Sequence, residues 1–367
     1  MTRIITIIIL TIILVNNAIY AAPLISAQSA ILMDAETKRV LFEQNAHEKL
    51  PMASTTKIMT ALVALEKGNI NDIVEIDKDV VGIEGSSIYL YAGEKISLED
   101  LLYGLMLRSG NDAAMAIGKH IGGDVGSFVN MMNEKSKEIG ANNTNFVNPH
   151  GLHDDNHYTT AYDLALITSK AMEIEEFKSI SRTKSWIANR DKNQVFYNKN
   201  KTLWEYEGGD GVKTGYTTRA GRCLVTSATR NGIQLIAVVL NDYNWFQDCY
   251  TLMDYGFDNF NSYVIIKKGQ LIKELPVLYG KKESVTAVSE KGFSYLLTEE
   301  ELEKIKVDYR LKENVKAPVN KGEVLGHVNV YLEGRLIYKG NIIASENIDE
   351  VGIFRKIIEK IKIGINI

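Results

Sequence analysis

Apolar residues fall into distinct patterns along the chain. Ile4 to Val15 is an apolar run broken only by Thr6 and Thr11, with Arg3 before it and Ala18, Ala21 and Ala22 after it. The run is short for a transmembrane helix and has the layout of a secretory signal, with cleavage near Ala21 or Ala22. Ser29 to Met33 and Arg39 to Phe42 read as strands, and Asp34 to Lys38 reads as the turn between them. Ile58, Met59, Leu62, Val63 and Leu65 recur at helical spacing, which predicts an amphipathic helix with Ser54 at its start. Leu101 to Ile121 is a second helical region, interrupted at Ser109-Gly110-Asn111. Asp124 to Ile139 predicts a third, and Thr159 to Met172 a fourth, with Thr159 or Thr160 as its cap. Val212 to Thr214 is extended between glycines. Cys223 to Ala228 and Gln234 to Leu240 are β-branched runs joined through Arg230-Asn231-Gly232, a hairpin signal.

Near Asn259 the pattern changes to short β-like runs separated by Lys and Glu: Tyr263 to Lys267, Ser284 to Val288, Val324 to Leu332 and Arg335 to Ile342. Ala317 to Gly322 reads as a turn before the last hairpin. From about Ile348, Val351, Phe354, Ile357, Ile358, Ile361 and Ile365 return to helical spacing, with Arg355, Lys356, Lys360 and Lys362 mostly off that stripe. A basic amphipathic helix at this position suggests attachment to a membrane surface. The expected organisation is a signal over 1–22, a first domain over 23–258, a small β-rich domain over 259–346 and an amphipathic tail over 347–367. The fold class is α+β, an antiparallel sheet flanked by helices plus a small C-terminal all-β domain.

Composition changes this picture little. The 367 residues are 45% hydrophobic and 24% charged, which allows a core without disulfide or metal staples. A formal net charge of -4 lacks the basic excess of a nucleic-acid-binding protein. Cys223 and Cys249 could pair in an oxidising compartment, but the simpler expectation is two buried thiols. His150, His153 and His157 cluster in a loop. They read as loop-packing or surface residues, and neither a metal nor a cofactor is expected.

The chemistry concentrates at Ser54 and Lys57. Their spacing puts both on one face of a helix, where a neutral amine could take the hydroxyl proton. A lowered lysine pKa is then needed, and Lys213 offers the second cation that would help to lower it. Ser-x-x-Lys alone is weak, because Ser181 to Lys184 repeats it without a following apolar helix; Ser345-Glu-Asn347 likewise repeats Ser-x-Asn beside the tail. The stronger signal is the ordered set Ser54-Thr-Thr-Lys57, Ser109-Gly-Asn111 and Lys213-Thr-Gly215, on a helix start, a helix junction and a strand.

This set resembles the active-site motifs of penicillin-binding proteins and serine β-lactamases. The stretches Leu107 to Ala114, Asn148 to Leu152, Thr159 to Ala165 and Asp210 to Thr217 resemble the low-molecular-mass D-alanyl-D-alanine carboxypeptidases more closely. The resemblance covers nearly the whole mature chain. It implies a β-lactamase/transpeptidase-like catalytic domain in which Ser54 forms an acyl-enzyme and Lys57 is the base. Ser109 would relay a proton, and Asn111 would hold Lys57 and the substrate backbone. Lys213 would supply charge, Thr214 would bind the terminal carboxylate, and Gly215 would let substrate lie along the strand edge. The backbone N–H groups of Ser54 and Tyr216 would form the oxyanion hole. The implied partners are the peptidoglycan stem peptide and β-lactams as acylating inhibitors. The implied location is the outer face of the cytoplasmic membrane or the cell-wall space, with the β domain as a spacer. Several relatives use an arginine near the substrate carboxylate; Asn241 to Cys249 has none, leaving Arg219 or Arg222 as substitutes. Three rivals are a serine β-lactamase, a D,D-endopeptidase and a non-catalytic wall-binding scaffold. The first would need a deacylating glutamate, which Asp154 to Asp163 lacks.

Overall fold

The computed structural model describes residues 22–352. The expected signal and all but the first residues of the expected tail helix lie outside the described residues. In the first domain the chain runs β1 (Ser29–Asp34), β2 (Val40–Gln44), α1 (Lys57–Lys67), β3 (Ile73–Glu75), β4 (Lys95–Ser97), α2 (Leu98–Tyr103), α3 (Asn111–Gly122), α4 (Val125–Ile139), α5 (Ala161–Ala171) and α6 (Glu175–Arg182). It continues through β5 (Ser185–Ile187), β6 (Val195–Tyr197), α7 (Thr202–Glu205), β7 (Gly209–Thr217), β8 (Gly221–Arg230), β9 (Ile233–Leu240) and α8 (Trp245–Asn259).

The main sheet is antiparallel, in the order β2-β1-β9-β8-β7, with β7 at one edge. Successive side chains of a strand point to opposite faces, and here both faces are buried. Ile31, Met33, Cys223, Val225, Ile236 and Val238 enter the core on the α1 side. Ala30, Leu32, Leu224, Leu235, Ala237 and Val239 enter a second core under α8. Double-sided burial explains why β8 and β9 read as continuous apolar runs rather than alternating ones. The sequence reading assigned no element to α8, yet Cys249, Leu252, Met253 and Gly256 form its buried i, i+3, i+4, i+7 stripe. The neighbouring aromatics Trp245, Phe246, Tyr250 and Tyr255 are only partly buried and blur that stripe. Cys223 and Cys249 are free, buried thiols on opposite sides of the sheet.

The second domain contains β10 (Asn261–Ile266), β11 (Leu271–Leu278), β12 (Ser284–Ser289), β13 (Phe293–Leu297), α9 (Glu299–Leu302), β14 (Ile305–Leu311), β15 (Val315–Lys316), β16 (Val324–Leu332) and β17 (Arg335–Ala344). Six strands form a sheet in the order β14-β16-β17-β12-β11-β15, and β10 pairs with β13. Its core, including Ile266, Leu275, Val285, Leu325, Val330 and Ile342, is apolar. Two readings change here. Val319, placed in a turn, is buried and pairs with Ile348. Ile348 and Val351, assigned to the helical tail, are buried, and the Val351 N–H donates to Tyr279 O. Burial against this core and backbone pairing override the helical spacing at that point.

The domains meet at Arg39. Its guanidinium donates to Leu296 O and to Glu301 Oε1, and lies 5.3 Å from the Phe260 ring centroid and 4.9 Å from that of Tyr295.

Candidate active site

Residues Ala53–Thr56 form a 3-10 turn that leads directly into α1. Every residue of α1 from Lys57 to Ala64 is buried, which fixes the lysine in the middle of the domain. The Lys57 amine lies 3.2 Å from Ser54 Oγ, 2.7 Å from Asn111 Oδ1 and 2.6 Å from the His150 carbonyl oxygen. A neutral amine has two protons. In that neutral form, Asn111 and His150 can take both at short range, which would leave the lone pair facing the Ser54 hydroxyl. Burial holds the Lys57 pKa well below the ordinary lysine value; Lys213 lowers it further, with a smaller push from Lys199 and opposition from Asp112.

Two loops clamp this centre. Asn148 Oδ1 accepts from the N–H groups of His150 (3.2 Å) and Gly151 (2.7 Å), and Asn148 Nδ2 donates to Leu152 O at 2.9 Å. The closed loop presents the His150 carbonyl to Lys57, while Thr60 Oγ1 donates to Pro149 O at 2.6 Å. Gly151 has φ +89°, and a Cβ there would sit 1.9 Å from Ala53 O, so only glycine fits against the nucleophile turn. His157 accepts the Val147 N–H at Nδ1 (3.1 Å), which makes Nε2 the donor to Thr56 Oγ1 at 2.7 Å. Burial pushes His150 down to about 3 and His157 to about 4, so both are neutral parts of the clamp. No group of three or more His, Cys, Asp or Glu among the described residues is placed to hold a metal.

The second clamp precedes α3. After Tyr103 the helix widens into a π turn over Gly104–Arg108, and Ser109 then adopts φ +65°. Such π segments and left-handed residues concentrate at functional sites. Ser109 is buried at this junction. Asn111 is fixed from outside: its N–H donates to Ser86 O at 2.7 Å and Nδ2 to Glu84 O at 2.5 Å. Asp112 accepts from Ser87 Oγ at 2.6 Å and from the N–H groups of Ile88 and Leu90, each at 3.1 Å. The buried Arg190–Glu94 pair (2.8 Å) holds the same loop through Arg190 donation to Ile88 O.

From the third side comes β7. Lys213 is fully buried, donates to Thr214 O at 2.9 Å, and is pushed down to about 7 by burial and then by Lys199. Gly215 was expected to make room for substrate. The structure gives a nearer reason, because a Cβ there would lie 3.0 Å from Ser54 N and 3.1 Å from Thr55 N. The glycine lets β7 touch the nucleophile turn. Tyr216 follows, 63% exposed, opposite Arg222 in the β7–β8 register. The Arg222 guanidinium donates to Tyr243 O at 2.9 Å and lies 5.4 Å from the Tyr243 ring centroid. Asp210 pins the strand by accepting from Arg182 Nε, Ser227 Oγ, Thr229 Oγ1 and Gln234 Nε2.

Ser54, Lys57, Asn111, Lys213 and Gly215 therefore converge from distant stretches, with Ser109 buried at the α3 junction and Thr214 and Tyr216 along the β7 edge. The decoy motif does not join them: Ser181 is buried in α6 with its hydroxyl unpartnered among the described residues, and Lys184 lies 5.7 Å from the Trp204 ring centroid. The sequence reading missed the 84–90 loop and Lys199, whose amine is 3.5 Å from Ser86 Oγ. Nothing in the Asn-Lys-Asn-Lys context of Lys199 distinguishes it from a solvated lysine.

Residues 16–244 match the family model described as D-alanyl-D-alanine carboxypeptidase (peptidase S11), and residues 260–350 match that of the penicillin-binding protein 5 C-terminal domain. The chain is 33% identical to the D-alanyl-D-alanine carboxypeptidase DacF of Bacillus subtilis (strain 168), over 89% of this chain and 87% of the relative. It is 34% identical to DacC of Escherichia coli (strain K12), over 92% of this chain and 88% of the relative. Among solved structures, penicillin binding protein 5 from Haemophilus influenzae superposes with a TM-score of 0.77 at 33% identity, covering 89% of this chain and 99% of that one.

Proposed function

The chain belongs to the D-alanyl-D-alanine carboxypeptidase family, and on that premise we propose that it removes the terminal D-alanine of peptidoglycan stem peptides through an acyl-enzyme on Ser54. The observation that carries the reading is the Lys57 amine, buried without a carboxylate partner, with two acceptors for its protons and the Ser54 hydroxyl on its remaining side.

The Ser54 proton passes to Lys57 as Oγ attacks the carbonyl between the two D-alanines. The oxyanion meets the N–H groups of Ser54 and Tyr216, and one such donor is worth about 3 kcal/mol of barrier. Collapse breaks the C–N bond. The proton on Lys57 returns through the Ser109 hydroxyl to the leaving amine. Water then attacks the ester, Lys57 takes its proton, and the acyl C–Oγ bond breaks as that proton returns to Ser54 Oγ. Lys213 and Thr214 face the terminal carboxylate. Of the arginines near that edge, Arg222 is held by the Tyr243 carbonyl. β-Lactams acylate the same serine. Export, attachment to the outer face of the cytoplasmic membrane through the tail, and a part in wall maturation that shapes the cell or spore belong to the same reading.

Mass spectrometry after penicillin treatment, with the labelled peptide mapped, tests it together with D-alanine release from a pentapeptide. A stable adduct on Ser54 and release abolished by Ser54→Ala support the peptidase. Rapid turnover of penicillin, or release that survives the substitution, overturns it.

A further inference from the structure

Beside the cleft lies a pocket of about 150 Å³, lined by Ser87, Ile88, Tyr89, Arg108, Val195 and Phe196, with Asn193 at its rim. We propose that it is a second, cationic subsite that takes a carboxylate of the substrate peptide, with Arg108 as its ligand and Lys199 beside it. The proposal rests on the peptidase reading above for the identity of the substrate, and on the pocket for its chemistry.

Arg108 is half-buried at the end of the π turn and immediately precedes Ser109. Among the described residues it has no hydrogen bond and no ion pair. Three acids of the adjoining loops are occupied: Asp112 by Ser87, Ile88 and Leu90, Glu94 by Arg190, and Asp191 by the Tyr91 hydroxyl at 3.4 Å. Lys199 is close enough to Arg108 that the two like charges disfavour each other, and it too lacks a carboxylate partner. Keeping two cations together without an anion costs free energy, and an arriving carboxylate removes that cost. A guanidinium binds a carboxylate with two parallel N–H groups, giving geometry as well as charge.

The pocket is also preformed. Ile88 and Phe196 pack against the place where a Cβ on Gly104 would stand, at 2.9 and 3.4 Å, so the floor is tied to the π turn. Tyr89 (φ +62°) and Asn193 (φ +51°) hold left-handed conformations at the rim. Tyr89 is locked by its N–H to Ser87 Oγ at 2.8 Å and by Arg190 Nη2 to its carbonyl at 3.1 Å. The volume suits a carboxylate on a short stem. Ser86 and Ser87 connect the pocket to the cleft, since Ser86 O accepts the Asn111 N–H.

The test uses two peptides ending in D-Ala-D-Ala that differ only in whether an upstream side chain is a carboxylate or its amide. The C-terminal carboxylate is common to both and cancels in their ratio. The full-length protein should favour the acidic peptide by about tenfold in kcat/KM, the worth of a charge-assisted hydrogen bond. Arg108→Gln should bring the ratio close to one, and Arg108→Lys should restore part of it. Acylation by a small β-lactam, measured on each variant, registers any damage to the neighbouring Ser109. A ratio near one in the unaltered protein, or an unchanged ratio in Arg108→Gln, overturns the subsite. If neither peptide releases D-alanine, the peptidase reading has failed instead. Calorimetric binding of both peptides to Ser54→Ala, with and without Arg108→Gln, then still decides whether the pocket selects a carboxylate.

Discussion

In the first domain, two lysines are fully buried and neither contacts a carboxylate. In the β domain the ion-paired lysines stay at the surface: Lys281 with Asp349, Lys282 with Glu346, Lys304 with Glu300 and Glu333, and Lys312 with Glu323. Crowded left-handed residues lie in the cleft, where Ala53 and Ser109 are buried and Gly151 abuts Ala53 O, whereas Gly322 and Gly334 of the β domain, like Gly82 and Gly123 of the first, occupy open turns. One domain carries buried charge and strain that weaken it, and the other is an apolar core with a solvated surface. Such a concentration of unfavourable features marks the place where the sequence serves chemistry rather than folding.

The widest gap should appear at Lys57. Lys57→Met should slow acylation by a β-lactam at least about a thousandfold while raising the melting temperature at pH 7. The rise follows because a buried base with a depressed pKa disfavours the fold wherever the unfolded chain would hold the proton. A melting temperature that falls would mean that the amine is structural. Lys213 has the same sign: the stability lost to its burial returns only as pH rises from about 7 into the ordinary lysine range. Because Lys213 is needed as a cation, kcat/KM should decline on the alkaline side with an apparent pKa near 7. A flat profile from pH 6 to 9 would detach its charge from function.

A pair of glycine substitutions sharpens the comparison. Gly151→Ala forces a Cβ to within 1.9 Å of Ala53 O, so the nucleophile turn must move. Acylation should fall by about a hundredfold, the usual effect of an ångström-scale misplacement. Gly322→Ala has a similar φ of +87° but nothing within 4 Å. It should cost only about 1 kcal/mol and leave acylation unchanged. Equal effects on acylation would remove the distinction between the two regions.

Much of this contrast was legible in the sequence. The β1–β2 and β8–β9 hairpins, α1, and the break at Ser109 carry strong local signals, and the ordered motifs select the converging residues. What was not legible depends on contacts between remote segments. The loop over 84–90 has no periodicity, and its shape comes from Asp112 and Arg190. The reason for Gly215 appears only when β7 meets Ser54. In the tail, Ile348 and Val351 follow helical spacing but find a better partner in the edge of the β domain.

The smallest predicted effect lies away from the cleft, where the first domain again buries charge. Asp242 and Asp248 are both buried, and Ser26 Oγ is 2.6 Å from one carboxyl and 2.9 Å from the other. A hydroxyl has one proton to donate, so the second contact needs a protonated carboxyl. Burial, with Asp248 nearby, pushes Asp242 up to about 6. The folded protein therefore holds a proton that the unfolded chain loses above about pH 4. Stability should fall as pH rises from about 4 to about 6 and then level off. Asp242→Asn supplies the missing donor permanently. It should flatten that decline, raising the melting temperature at pH 7 and changing it little at pH 4. The β-domain counterpart, Lys304→Ala, should leave the melting temperature unchanged at either pH, since exposed pairs contribute little. An Asp242→Asn protein whose melting temperature tracks the unaltered protein across that range would show that the pair shares no proton.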